Sequence, residues 1–183
     1  HAVEPLTSGV SSPQTICFQT NPEHWSLDSA IGSRQRRSQN LLRSGGFEDA
    51  DTIRAHGWEH YQSEDSEVRP GAELNARAVE GKYCLRIHAR PADPDSPPSE
   101  LHTPPVRFVS PPIRVYAGQI LLISGQVQLA TPVTADPDGF VIAESIKGTV
   151  AALRWNQPAA DNSWEPFTIL REGTESGDLR LVI

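Results

Sequence analysis

From residue 83 onward, apolar and polar positions alternate with the two-residue period of a half-buried strand. Tyr83, Leu85 and Ile87 interleave with Cys84, Arg86 and His88. Residues 119–129 form the longest candidate. Leu121, Ile123, Val127 and Leu129 alternate there, with a break at Gly125 that reads as a bulge signal. Residues 140–146 and 149–155 flank the turn Lys147-Gly148. Trp164, Phe167, Ile169 and Leu170 mark the next strand, and residues 179–183 the last. Shorter runs lie at 106–109 and at Ile113, Val115 and Tyr116. Between them stand turn signals, among them the Pro/Asp/Ser run 89–98 and Asp136-Pro137-Asp138-Gly139. No stretch holds eleven residues of helical period free of Gly and Pro. The nearest is 49–56, which predicts one or two turns. Several short strands spaced by turns predict an all-β sandwich or barrel with antiparallel sheets.

Ahead of this lies a different texture. Residues 1–12 are small and polar without a period. Ile16, Cys17 and Phe18 form a short apolar patch between Pro13 and Pro22. Trp25 and Leu27 read as an anchor that docks on the domain, because a large aromatic is seldom left unused. Arg34, Arg36 and Arg37 lie in a polar run that reads as a solvated linker. The expected organisation is an irregular N-terminal extension over 1–39 and a β-sandwich over 40–183.

Composition narrows the function classes. The net charge is −7 and the pI about 5.3, the opposite of what a non-specific nucleic-acid binder needs. No apolar run approaches the roughly 20 residues that span a bilayer, so membrane insertion is not expected. The 16 prolines and 13 glycines fit turns and sheet edges rather than helix interiors. Cys17 and Cys84 match no metal or redox spacing. One disulfide and two separate buried thiols both remain open.

Several residues together carry a family likeness. Asn40-Leu41-Leu42, then Gly45-Gly46-Phe47-Glu48, then Gly57-Trp58 resemble the opening of family 4/9-type carbohydrate-binding modules. Residues 81–87 (G-K-Y-C-L-R-I) resemble that family's G-x-x-A-L-x-L strand, and 113–118 its V-x-x-G step. Trp164 and Phe167 match its W-x-x-F. The likeness runs in the family's order over about residues 40–183. Ser44 departs from the usual Asn, and the closing strand with its Asp pair has no counterpart before Ile183. The resemblance implies a two-sheet antiparallel jelly-roll sandwich, galactose-binding domain-like. It implies a non-catalytic module of a larger secreted or cell-surface protein, exported with further domains of its parent chain, whose partner is a polysaccharide or other glycan.

It also implies candidate residues. In related modules the Glu at position 48 helps hold a structural calcium. The residues alone fit equally a Glu48 that bonds neighbouring backbone amides, since calcium needs six to eight oxygens. Sugar rings stack on aromatics while polar neighbours read their hydroxyls. Trp58, Trp155, Trp164, Tyr61 and Tyr116 are the aromatics to consider, with Trp58 and Trp164 expected in the core. The expected ligand-binding set is Trp155, Arg154, Asn156, Gln126, Gln128 and Tyr61. Catalysis is not expected. His56, Glu59 and His60 match H-x-x-E-H, but that zinc motif works on a helix, and Gly57-Trp58 reads as the start of a strand. The acidic residues Glu64, Asp65, Glu67, Asp93 and Asp95 lie in polar loops, where water keeps them ionised. The rival readings are a structural or protein-interaction module, and an accessory domain of an enzyme.

Overall fold

A computed structural model describes residues 14–20, 40–64, 67–101, 103–134, 138–146 and 149–183, without the side chains of 14–20 and 149. The strands are β1 (Gln14–Thr20), β2 (Glu59–Gln62), β3 (Val68–Asn75), β4 (Cys84–Pro91), β5 (Val106–Val109) and β6 (Ile113–Val115). They continue with β7 (Ile120–Leu129), β8 (Phe140–Ile146), β9 (Thr149–Trp155), β10 (Glu165–Glu172) and β11 (Gly177–Val182). One short helix, α1 (Ala50–Ala55), precedes β2. The protein is all-β, as the alternation predicts.

The strands form two antiparallel sheets. One has the order β10-β7-β1-β4-β3. The other has the order β2-β5-β11-β8-β9, with β6 also pairing β11. The alternation decides which side of each is buried. Leu85, Ile87, Val127, Leu129, Phe167 and Ile169 come from the first sheet. Val106, Phe108, Phe140, Ile142 and Leu181 come from the second, and both sets join one core. Each such side chain contributes about 1.5–3 kcal/mol when fully buried. Phe47, Ile53 and Trp58 close one margin of this core. A second cluster of Val115, Ile146 and Leu179 lies beyond it.

Three details depart from the sequence pattern. β1 lies inside the stretch read as an extension, yet it is the middle strand of its sheet. It pairs with β4 from Gln14↔Ala89 to Phe18↔Leu85, and with β7 from Ile16↔Leu129 to Thr20↔Gly125. β3 was not visible as a strand, because Pro70 and Gly71 interrupt it. It is tolerated because β3 is an edge strand, where a missing donor faces no neighbour. Gly125 makes no bulge. It pairs in step with Phe167 on β10 and Thr20 on β1, and β7 runs unbroken.

The helix expected near 49–56 forms as α1. Asp49 caps it, accepting from the Thr52 amide (2.7 Å) and hydroxyl (2.6 Å). Gly57, at φ +86°, turns the chain out of it. Cys84 is buried, and its sulfur donates to the Asn75 carbonyl at 3.5 Å. The side chain of Cys17 lies outside the described residues, as do Trp25, Leu27 and Arg34, Arg36 and Arg37.

Candidate ligand site

A cavity of about 280 Å³ opens at the end of the molecule where β4 and β11 finish and β5 and β8 begin. Its walls are largely apolar, with Leu101, Pro104, Pro105, Val141 and Val182 among them. The ionisable groups lining it are His88, Arg107 and Asp138. A mostly apolar concavity with a few polar groups is the usual form of a small-ligand site.

The rim is built from alternating strand positions. On β5, Val106 and Phe108 point into the core, so Arg107 faces outward. Tyr61 is its register partner on β2, and the Arg107 guanidinium lies 4.7 Å from the Tyr61 ring centroid. The Tyr61 hydroxyl donates to the Glu59 carboxylate. Arg180 donates to the same carboxylate at 2.9 Å. The Tyr61 hydrogen bond, then the Arg180 one, hold the Glu59 pKa below the ordinary carboxylate value. The same bond to Glu59 pushes the Tyr61 pKa up, so the hydroxyl keeps its proton.

On the opposite side of the mouth, Arg154 Nε donates to Asp138 at 3.1 Å. Trp155 is half-buried, its ring centroid 6.0 Å from Phe140 and 5.8 Å from Phe167. It therefore packs against the core edge. Asn156 is exposed, and its carbonyl accepts from the Val133 amide at 3.0 Å. Gly139 makes this corner possible. A Cβ there would lie 2.4 Å from the Trp155 carbonyl oxygen.

Tyr61 reaches the cavity only through Arg107, and Arg154 only through Asp138; β2 and β9 are opposite edges of their sheet, so Tyr61 stands apart from Arg154, Trp155 and Asn156. Gln126 and Gln128 lie elsewhere. Val127 and Leu129 are buried, so the two glutamines face the outer side of the first sheet. There the Gln128 amide donates to the Asn162 carbonyl. Arg107, His88 and Asp138 were not singled out from the sequence. Alternation alone marks Arg107 as outward-facing, but nothing in the chain signals that these residues meet.

The other candidates do not join this site, and of the two tryptophans expected in the core only Trp58 is buried there. Trp58 is buried, donates to the Arg43 carbonyl at 2.9 Å, and sits 5.0 Å from Phe47. Trp164 is half-buried, and Tyr116 is exposed between β6 and β7. Glu48 accepts from the Lys82 amide at 2.8 Å and lies over Gly81. No group of three or more His, Cys, Asp or Glu side chains converges among the described residues. A calcium at Glu48 would therefore draw its other oxygens from backbone carbonyls, side-chain amides or water. The H-x-x-E-H residues are dispersed. His56 Nδ1 bonds the Ser44 hydroxyl at 2.6 Å, Glu59 serves Tyr61 and Arg180, and His60 stacks on Phe108 at 4.4 Å.

No protein family, curated protein or solved structure matches this chain. The family likeness rests on the quoted residues alone.

Proposed function

We propose that this chain is a non-catalytic carbohydrate-binding module, a galactose-binding-like jelly roll within a larger secreted or cell-surface protein. The observation that carries the reading is the Tyr61–Arg107 pair at the rim of the cavity. A partly exposed aromatic ring held by a guanidinium offers a stacking face, and Arg107, Arg154 and Asn156 offer polar contacts for hydroxyl groups. Binding is passive, through a rim that is already formed. A single site of this size binds weakly, and repeated modules would raise avidity. A structural calcium at Glu48 belongs to the same proposal.

A glycan-array assay on the folded protein, with and without EDTA, tests it. Saturable binding that weakens in Tyr61→Ala and Arg107→Ala supports the reading, and loss with EDTA implicates calcium. Absence of binding by a folded sample sinks it. One observation favours the protein-interaction alternative in that event. Ile120 and Leu170 are 56% and 66% exposed on neighbouring strands of the first sheet, an apolar patch of the kind that partners cover.

A further inference from the structure

The protein is acidic, yet the charges around its cavity lean the other way. Of the three ionisable lining residues, Asp138 already answers Arg154. Arg107 makes no ion pair among the described residues and rests on Tyr61. His88 leads to more positive charge. Two positions along β4 stands Arg90, directly opposite Arg69 on β3. Directly opposed residues share a face with Cβ atoms about 4.5–5.5 Å apart. The two side chains therefore leave the sheet side by side, within reach of one shared anion. Both residues are exposed, and neither makes an ion pair among the described residues.

The rest of this face treats arginine differently. Arg86, four positions before Arg90 and on the same side, pairs with Glu73 at 2.9 Å. Among the opposed pairs of β3 and β4, only Arg69 and Arg90 carry like charge, an arrangement that destabilises a sheet. His88 completes the group. Its ring lies against Gly71, where an added Cβ would come within 2.5 Å of Nε2. Its Nδ1 is buried and has no hydrogen-bond partner. Two adjacent guanidinium forks match an oxyanion, which would also offset their repulsion.

We propose that the outer face of the first sheet carries an anion site, in which Arg69 and Arg90, flanked by His88, hold the carboxylate or sulfate group of an acidic glycan. The proposal rests on the carbohydrate reading for the sugar, but the anion site can be tested apart from it. The first measurement is thermal unfolding in sodium sulfate against sodium chloride of equal ionic strength. General salting effects act on the wild type and on R69Q/R90Q alike. The wild type should gain a larger rise in Tm with sulfate than the double variant. An equal response in both overturns the anion site.

The second measurement is affinity electrophoresis in gels holding a polyuronate, a sulfated polysaccharide or an uncharged polysaccharide. Retardation by an acidic polymer, weakened about tenfold in R69Q/R90Q, is expected for loss of a bidentate charged contact. The polymer that retards more tells carboxylate from sulfate. Equal retardation by the uncharged polymer, unchanged in the variant, overturns the acidic preference and leaves carbohydrate binding standing. A sulfate response that needs Arg69 and Arg90, with no retardation by any polymer, supports the anion site and overturns the carbohydrate reading.

Discussion

Glu144 is the residue whose burial is hardest to reconcile with its chemistry. It sits on β8 with no exposed surface, pointing inward with Phe140, Ile142 and Ile146. Arg171, on β10 of the other sheet, places Nε 3.0 Å from its carboxylate, so the pair ties the two sheets together. Removing one partner of a buried pair leaves a stranded charge and destabilises by about 3–5 kcal/mol. Glu144→Leu should show that loss in urea unfolding, and Glu144→Leu with Arg171→Met should recover most of it. Burial pushes the Glu144 pKa above its ordinary 4.5, with the Arg171 charge opposing. The folded state then holds the proton more tightly than the unfolded one. This group's contribution is fullest below 4.5 and is lost as pH rises through the raised value. Glu144→Gln should flatten that slope in urea midpoints taken across the range. Gly81 is a second constrained position, through its backbone conformation and its contact with the Glu48 carboxylate. It has φ +71°, and a Cβ would lie 1.8 Å from Glu48 Oε1. Gly81→Ala should lower stability by about 1–3 kcal/mol, read as a fall in Tm.

At the scale of elements, β1 decides whether the first sheet is continuous. It is the only described strand between the β3–β4 pair and the β7–β10 pair. Without it, the edges of β4 and β7 that face it would present unpaired backbone groups, which invite pairing between molecules. Deleting residues 1–20 should therefore yield a protein that aggregates, as light scattering would report. Ile16→Pro and Cys17→Pro, whose N–H groups point to opposite neighbours, should expose amides of β4 in one variant and of β7 in the other to hydrogen exchange. If both variants raised exchange on the same side, β1 would not be the shared strand. The contrast with β3 is instructive. Its proline is harmless at an edge, whereas a proline in β1 removes a ladder donor from a strand flanked on both sides.

For the molecule as a whole, acid stability sums contributions of opposite sign. Desolvation lowers the pKa of His60 and of His88 below 6.5, with Arg86 and Arg90 adding to the effect at His88. Both imidazoles therefore stay neutral in the fold at pH values where the unfolded chain binds protons. Their contribution is full above 6.5 and is lost as pH falls through the lowered values. Urea midpoints of wild type and His60→Gln/His88→Gln, compared between about pH 5 and 8, should converge at the acid end. A parallel offset at every pH would show that the histidines do not titrate with folding.

Much of this protein was legible in the chain because alternation reports burial directly. Leu85 and Ile87, Val127 and Leu129, and Phe167 and Ile169 stood on the buried side wherever the period of two held. Turn residues then divided the strands, which sufficed for an all-β reading. Periodicity is a local signal, however, and says nothing about which strand lies beside which. Ile16, Cys17 and Phe18 read only as a short apolar patch in an irregular extension, and long-range pairing with β4 and β7 makes Gln14–Thr20 a central strand. The site was hidden for the same reason. Tyr61 could be suspected as an aromatic, yet Arg107 meets it only because β2 and β5 pair in that register. Arg69 and Arg90 lie 21 positions apart in the chain and face each other because β3 and β4 pair antiparallel. The sequence by itself determined which faces are apolar, through side-chain alternation. The tertiary structure decided which charges meet, because hydrogen-bonded register brings together residues that no local pattern links.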